Sequence, residues 1–212
     1  MSENRTVTQA ETTPLRRQPV QQRSAKRVER MLDASAELLD EVGYEGLTTT
    51  LIAKRAGVAV GSLYQFFPDK RAVVQALTQR NLERFVTAVN ERLETLDASN
   101  WWDIVDSLLD IYLVMHREAP GFSKVHFGDV VDPQLLDERR TNNRVIVDAL
   151  AELISAQVRL SKEEIVLPIS IAVEAADGLL DHAFRLDPHG DPTVIDEAKT
   201  MIKCYLAERF GE

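Results

Sequence analysis

Residues 56–70 read AGVAVGSLYQFFPDK. Gly57 and Gly61 are two turn-prone positions, the aromatic cluster Tyr64, Phe66 and Phe67 comes next, and Pro68 closes the run. The stretch is too short and too interrupted for an ordinary core helix. It restricts the chain to folds in which two short helices meet at a tight glycine turn. The flanks supply the rest of such a unit. From Ser24, apolar residues recur at helical spacing (Val28, Met31, Leu32, Leu38, Leu39, Val42), and Gly43 stands where a terminal glycine belongs. Thr48 can cap a short second helix with Ile52, Ala53 and Ala56 inward, and Gly57 ends it. Val58 serves as an inward anchor, and a short third helix runs to Phe67, where Pro68 stops it. Asp69 caps a long fourth helix over 70–96.

The pattern beyond stays helical, so an all-α fold is expected. Only 9 glycines and 8 prolines occur in 212 residues, which agrees with that preference. Ser99–Asn100 starts a helix, Pro120–Gly121 breaks it, and a short segment is expected around 122–128. Pro133 opens a further helix, with Leu136, Val145 and Leu150 inward. Ser161-Lys-Glu-Glu164 has the form of a capping box, and Pro168 predicts either a kink or a helix that begins near Leu167. Asp191-Pro192 opens the last helix. Residues 1–23 are polar, with no periodic apolar face, and read as a disordered arm. They contain no apolar run that would make a secretory signal, and no stretch is long enough to span a bilayer. With a single cysteine, Cys204, the expected location is cytoplasmic.

The net charge is −9, but it is unevenly spread. Residues 1–72 hold 11 Lys and Arg against 9 Asp and Glu; the remainder holds 14 against 25. A mildly basic front and an acidic rear point to different partners. The exposed residues of the second short helix are expected to be Val60, Gly61, Ser62, Tyr64 and Gln65. Such a helix is narrow enough for the major groove of duplex DNA. Ser62 and Tyr64 offer hydroxyls to phosphates, Gln65 can pair with an adenine edge, and Gly61 permits close backbone approach. Lys70 lies in the first turn of the next helix, where a phosphate suits both the cation and the free N–H groups. Phe67 reads as core. The histidines form no paired metal motif, no nucleophile elbow or phosphate-cradling loop appears, and no cofactor is expected. Asp103, Asp106 and Asp110, at helical spacing, read as a solvated face.

The run LTTTLIAKRAGVAVGSLYQFFPDKRAVV, residues 47–74, with LLDEVGYEGLT before it, resembles the DNA-binding segment of the TetR family of bacterial transcriptional regulators. The match covers roughly residues 24–77, and the rear agrees only in layout. The resemblance implies that Thr49 and Thr50 contact phosphate and base, that Val60, Gly61 and Gln65 face bases, and that Ser62, Tyr64 and Lys70 hold phosphates. Two departures stand out: Ala59 replaces a frequent capping serine, and Val60 and Phe66 replace polar or basic residues. Val60 can instead meet thymine methyl groups, with DNA shape carrying part of the specificity.

The same resemblance implies a domain at 24–70 that binds a double-stranded, palindromic DNA operator. A domain at 71–212 would bind a small-molecule effector and form a homodimer. Candidate effector contacts are Trp102, Tyr112, His116, Phe122, His126, Asn142 and Asp177. The dimer is expected to pair helices 167–186 and 192–209. The faces expected to do so carry Leu179, Leu180, Ala183 and Phe184 on one, and Ile195, Met201, Ile202 and Tyr205 on the other. Effector binding would shift the population of recognition-helix spacings through the fourth helix and release a repressor. No enzymatic activity or membrane partner is expected. The competing class is a helical ligand- or protein-binding module that keeps this scaffold without binding DNA.

Overall fold

A computed structural model describes residues 22–125, 142–158 and 160–211. Among them the chain is all-helical: α1 Gln22–Gly46, α2 Thr49–Ala56, α3 Val60–Tyr64, α4 Lys70–Thr95, α5 Trp101–Glu118, a 3-10 turn Phe122–Lys124, α6 Asn142–Ser155, α7 Lys162–Leu186 and α8 Pro192–Phe210. Of the arm expected at 1–23, residues 1–21 lie outside the described residues, while Gln22 and Arg23 already belong to α1, which starts earlier than the apolar spacing indicates; the helix expected from Pro133 lies outside the described residues as far as residue 141. No described helix is long and apolar enough to cross a membrane.

The described chain divides into two compact units. One holds residues 22–82 together with 119–125; the other holds 83–118, 142–158 and 160–211. In the first, Met31, Leu39, Leu47, Ile52, Leu63, Phe67 and Leu77 are fully buried in one core. Helix α1 departs from helical geometry at Gly43 (φ 66°, ψ 177°), then resumes to Gly46 rather than stopping at Gly43. Arginines tie α1 to its neighbours. Arg55 of α2 reaches Glu37 at 3.1 Å and Glu41 at 2.7 Å, and its hydrogen bond holds the Glu41 carboxyl below the usual carboxylate range. Arg80 of α4, largely buried, reaches Glu29 at 3.0 Å and Asp33 at 2.7 Å. The segment after α5 returns to this unit. The Gly121 N–H donates to Asp40 Oδ2 at 2.8 Å, and a Cβ on Gly121 would lie 2.8 Å from Ala36 Cα. With φ at +73°, the position is doubly restricted to glycine.

In the second unit, local caps set the helix starts. The Asn100 side chain accepts from Trp102 N at 2.8 Å, while Asp103 accepts from Ser99 N at 2.8 Å. Ser161 and Glu164 form the capping box of α7, and Asp191 with Pro192 opens α8. Helix α7 therefore begins at Lys162 and runs through Pro168, so of the two expectations at this proline the start near Leu167 does not hold. The cap fixes the first turn before the proline is reached. The acidic face of α5 is not simply solvated: Asp103 caps its own helix, and Lys199 of α8 reaches Asp106 at 2.8 Å and Asp110 at 2.6 Å. Leu180, Ala183, Ile195 and Ile202, expected on an intersubunit face, are instead buried within the chain. Helical periodicity locates an apolar stripe but not what covers it, and here α7 and α8 pack on each other.

Candidate nucleic-acid interface

The helix-turn-helix is built by caps at short range. Thr48 is extended (φ −134°, ψ 151°), and its hydroxyl accepts from Leu51 N at 3.2 Å. Gly57 takes the left-handed conformation (φ 65°, ψ 39°), with Gly57 N donating to Lys54 O and Val58 N to Ala53 O. This Schellman pair stops α2 and turns the chain toward α3. The small, buried Ala53 and Ala56 let α2 and α3 approach closely. Val58, half-buried, packs against the same core.

Helix α3 is shorter than the sequence suggests: it ends at Tyr64 rather than at Phe67. Pro68 disfavours helical geometry at Phe67, and both Phe66 N and Phe67 N donate to the single carbonyl of Leu63. The tightened turn drives Phe66 into the core, so it leaves the outward surface altogether. Ala59 provides no side-chain cap; its carbonyl accepts from Ser62 N at 2.8 Å.

The outward surface is therefore Thr50, Val60, Gly61, Tyr64 and Gln65, all exposed, with Thr49 and Ser62 half-buried beside them. Thr49 Oγ1 and Tyr64 Oη lie 3.1 Å apart, which joins the first turn of α2 to the last turn of α3. The link orients two hydroxyls that still have acceptor and donor capacity for a phosphate. Lys70 occupies a different setting. Its ammonium donates to the Tyr44 carbonyl at 2.9 Å and lies 4.5 Å from the centre of the Tyr44 ring. Sequence reasoning missed Tyr44 because its partner is 26 residues away. Asp69, immediately before, caps α4 through Ala72 N at 2.9 Å.

The residues expected to hold an effector do not all converge. Tyr112 Oη donates to Asp177 at 3.0 Å, and the buried His116 stacks on Phe184 at 3.5 Å between ring centres, so these three share the α5–α7 region. Trp102 belongs elsewhere, edge-on to Trp101, which itself donates to Gly211 O at 3.1 Å. Phe122 is fully buried and falls in the helix-turn-helix unit. His126 and the side chain of Asn142 lie outside the described residues. A separate crevice, missed in the sequence, is lined by Phe85, Val86 and Val89 of α4, Leu108 of α5, and Ala149 and Leu153 of α6.

The model of the bacterial regulatory proteins of the tetR family matches residues 31–77. The tetracyclin repressor-like C-terminal domain matches residues 99–210. A crystal structure of a TetR-family transcriptional regulator from Streptomyces coelicolor is 41% identical, with a TM-score of 0.74 over 86% of this chain and 99% of that one. The nucleoid occlusion factor SlmA of Vibrio atlanticus is 26% identical over 65% of this chain and 67% of its own length. The class D tetracycline repressor protein of Escherichia coli is 31% identical over 57% of this chain and 53% of its own length. With its front matched by one model and more than half its length by the other, the chain belongs to the TetR family of transcriptional regulators, which are not enzymes.

Proposed function

We propose that the chain is a ligand-responsive repressor that binds a palindromic operator as a homodimer and leaves it when a small molecule occupies the rear unit. The observation that carries this reading is the hydroxyl pair Thr49–Tyr64, which spans the two short helices on an exposed surface beside Gly61 and Gln65. Thr50, Val60, Gly61 and Gln65 face the bases, and Thr49, Ser62 and Tyr64 the phosphates. Lys70 reinforces the phosphate side from its perch on Tyr44. Dimerisation would use the surface that α7 and α8 leave uncovered, where Leu167, Ile171 and Met201 are exposed. These residues take the place of the buried Leu180, Ala183, Ile195 and Ile202.

Tyr64→Ala tests the DNA reading. Losing one charge-assisted hydrogen bond in each of two copies, at about 1.5 kcal/mol apiece, is expected to weaken operator binding roughly a hundredfold. The operator can be selected from a random duplex pool and its affinity read by fluorescence anisotropy. Unchanged affinity would remove Tyr64 from the interface.

The crevice between α4, α5 and α6 is narrow and presents no polar side chain, so an effector that enters by parting these helices would be uncharged and apolar. Helix α4 runs unbroken from Lys70 to Thr95, so a single helix carries both Lys70 and the crevice-lining Phe85, Val86 and Val89. Ala149→Phe is expected to fill the space. Uptake of the uncharged dye N-phenyl-1-naphthylamine should fall about tenfold while operator affinity stays within about twofold. Equal dye uptake by both proteins would exclude the crevice.

A further inference from the structure

The first turns of α1 carry Arg23, Lys26, Arg27 and Arg30, all exposed. At 3.6 residues per turn they fall within an arc of about 100°. No hydrogen bond or ion pair engages these four side chains among the described residues. Of the carboxylates on the same helix, Glu29 and Asp33 share Arg80, Glu37 and Glu41 share Arg55, and Asp40 accepts from the Gly121 N–H. The first three turns of α1 therefore carry four cations against the two carboxylates Glu29 and Asp33, on a chain whose net charge is −9. It also sits at the positive end of the helix dipole, where cations destabilise the helix unless an anion answers them.

We infer that this stripe grips the phosphate backbone of duplex DNA outside the bases that α3 reads. The inference rests on the proposed DNA-binding function. Phosphate is the partner that four cations in one row complement, and the stripe belongs to the same unit as α2 and α3. Each cation removes one condensed counterion, so the stripe sets salt dependence and tightens operator and non-operator DNA alike.

The test compares the full chain with a variant carrying R23Q, K26Q, R27Q and R30Q. Two probes are used: an operator selected from a random pool, and a 40-base-pair mixed-sequence duplex. Affinity is read from 50 to 200 mM salt. If one cation of each protomer touches phosphate, the variant's slope of log affinity against log salt should shrink by about 1.8, with a loss on both probes of roughly ten- to a hundredfold at 100 mM. Trimming the operator from its ends should erase the difference between the two proteins. Thermal melting should be unchanged or slightly higher, because the cations oppose the helix dipole. Equal slopes overturn the inference, as does a variant that binds DNA normally but no longer sediments with phosphatidylglycerol vesicles. Tyr64→Ala, run in parallel, separates the failures: if it loses operator binding while the slopes match, only the stripe is refuted.

Discussion

Gly61→Glu is expected to yield a protein that folds at least as well as its parent and does not bind DNA. Gly61 is exposed within α3, it lacks a positive φ, and a Cβ built there meets nothing within 4 Å. The fold therefore makes no demand for glycine. Replacing it in a helix with glutamate should gain about 0.5–1 kcal/mol, or roughly 1–4 °C in melting temperature. The DNA does make the demand. In the proposed dimer, two carboxylates would stand where phosphates and base edges must approach. Like-charge juxtaposition of that kind costs several kcal/mol, so a loss of about a thousandfold or more is expected. Thermal melting and anisotropy on the selected operator check both halves. A destabilised variant, or one that still binds, would contradict the placement of α3 at the groove.

Phe67→Ala should act in the opposite way, through the fold. Phe67 is fully buried, in a core shared with Leu39, Leu47, Ile52 and Leu63. Truncation removes most of an aromatic side chain and leaves a cavity that α2 and α3, each too short to stand alone, cannot close. The expected cost is about 3–5 kcal/mol, a large share of the 5–15 kcal/mol typical of a whole domain. Hydrogen exchange should show lost protection in α1–α3 with α7 and α8 little changed, together with loss of operator binding. Uniform protection matching the parent would show that the site tolerates the cavity.

The features legible in the sequence are those decided by neighbours in the chain. Thr48, Asp69, Ser161 and Asp191 all cap where their residue types predict, and Gly57 turns where a left-handed residue is needed. A cap spans three residues, so its chemistry is visible locally. Other features depend on distant partners. The burial of Phe66 is unreadable because five helical residues do not fix the phase of the next turn, and Pro68 resets it. Asp106 and Asp110 meet a lysine some ninety positions away (Lys199), so their spacing alone cannot distinguish an ion pair from a wet face. The stripes of α7 and α8 are visible, yet the choice between covering one another and covering a second copy lies outside any one helix. The Thr49–Tyr64 pair requires the angle between two helices, which periodicity does not contain.

The return of the chain at Gly121 bears on how this regulator can be re-engineered. Ala36 and Asp40 of α1 receive the backbone of a segment that comes after α5, and Phe122 and Val125 are buried in the process. A reading head excised at Leu82 would leave that seat on α1 vacant, with apolar surface facing water. Swapping sensor modules between relatives therefore calls for three crossover points, one within α4 and one on either side of the return, with the Gly121–Ala36 junction inherited as a matched pair.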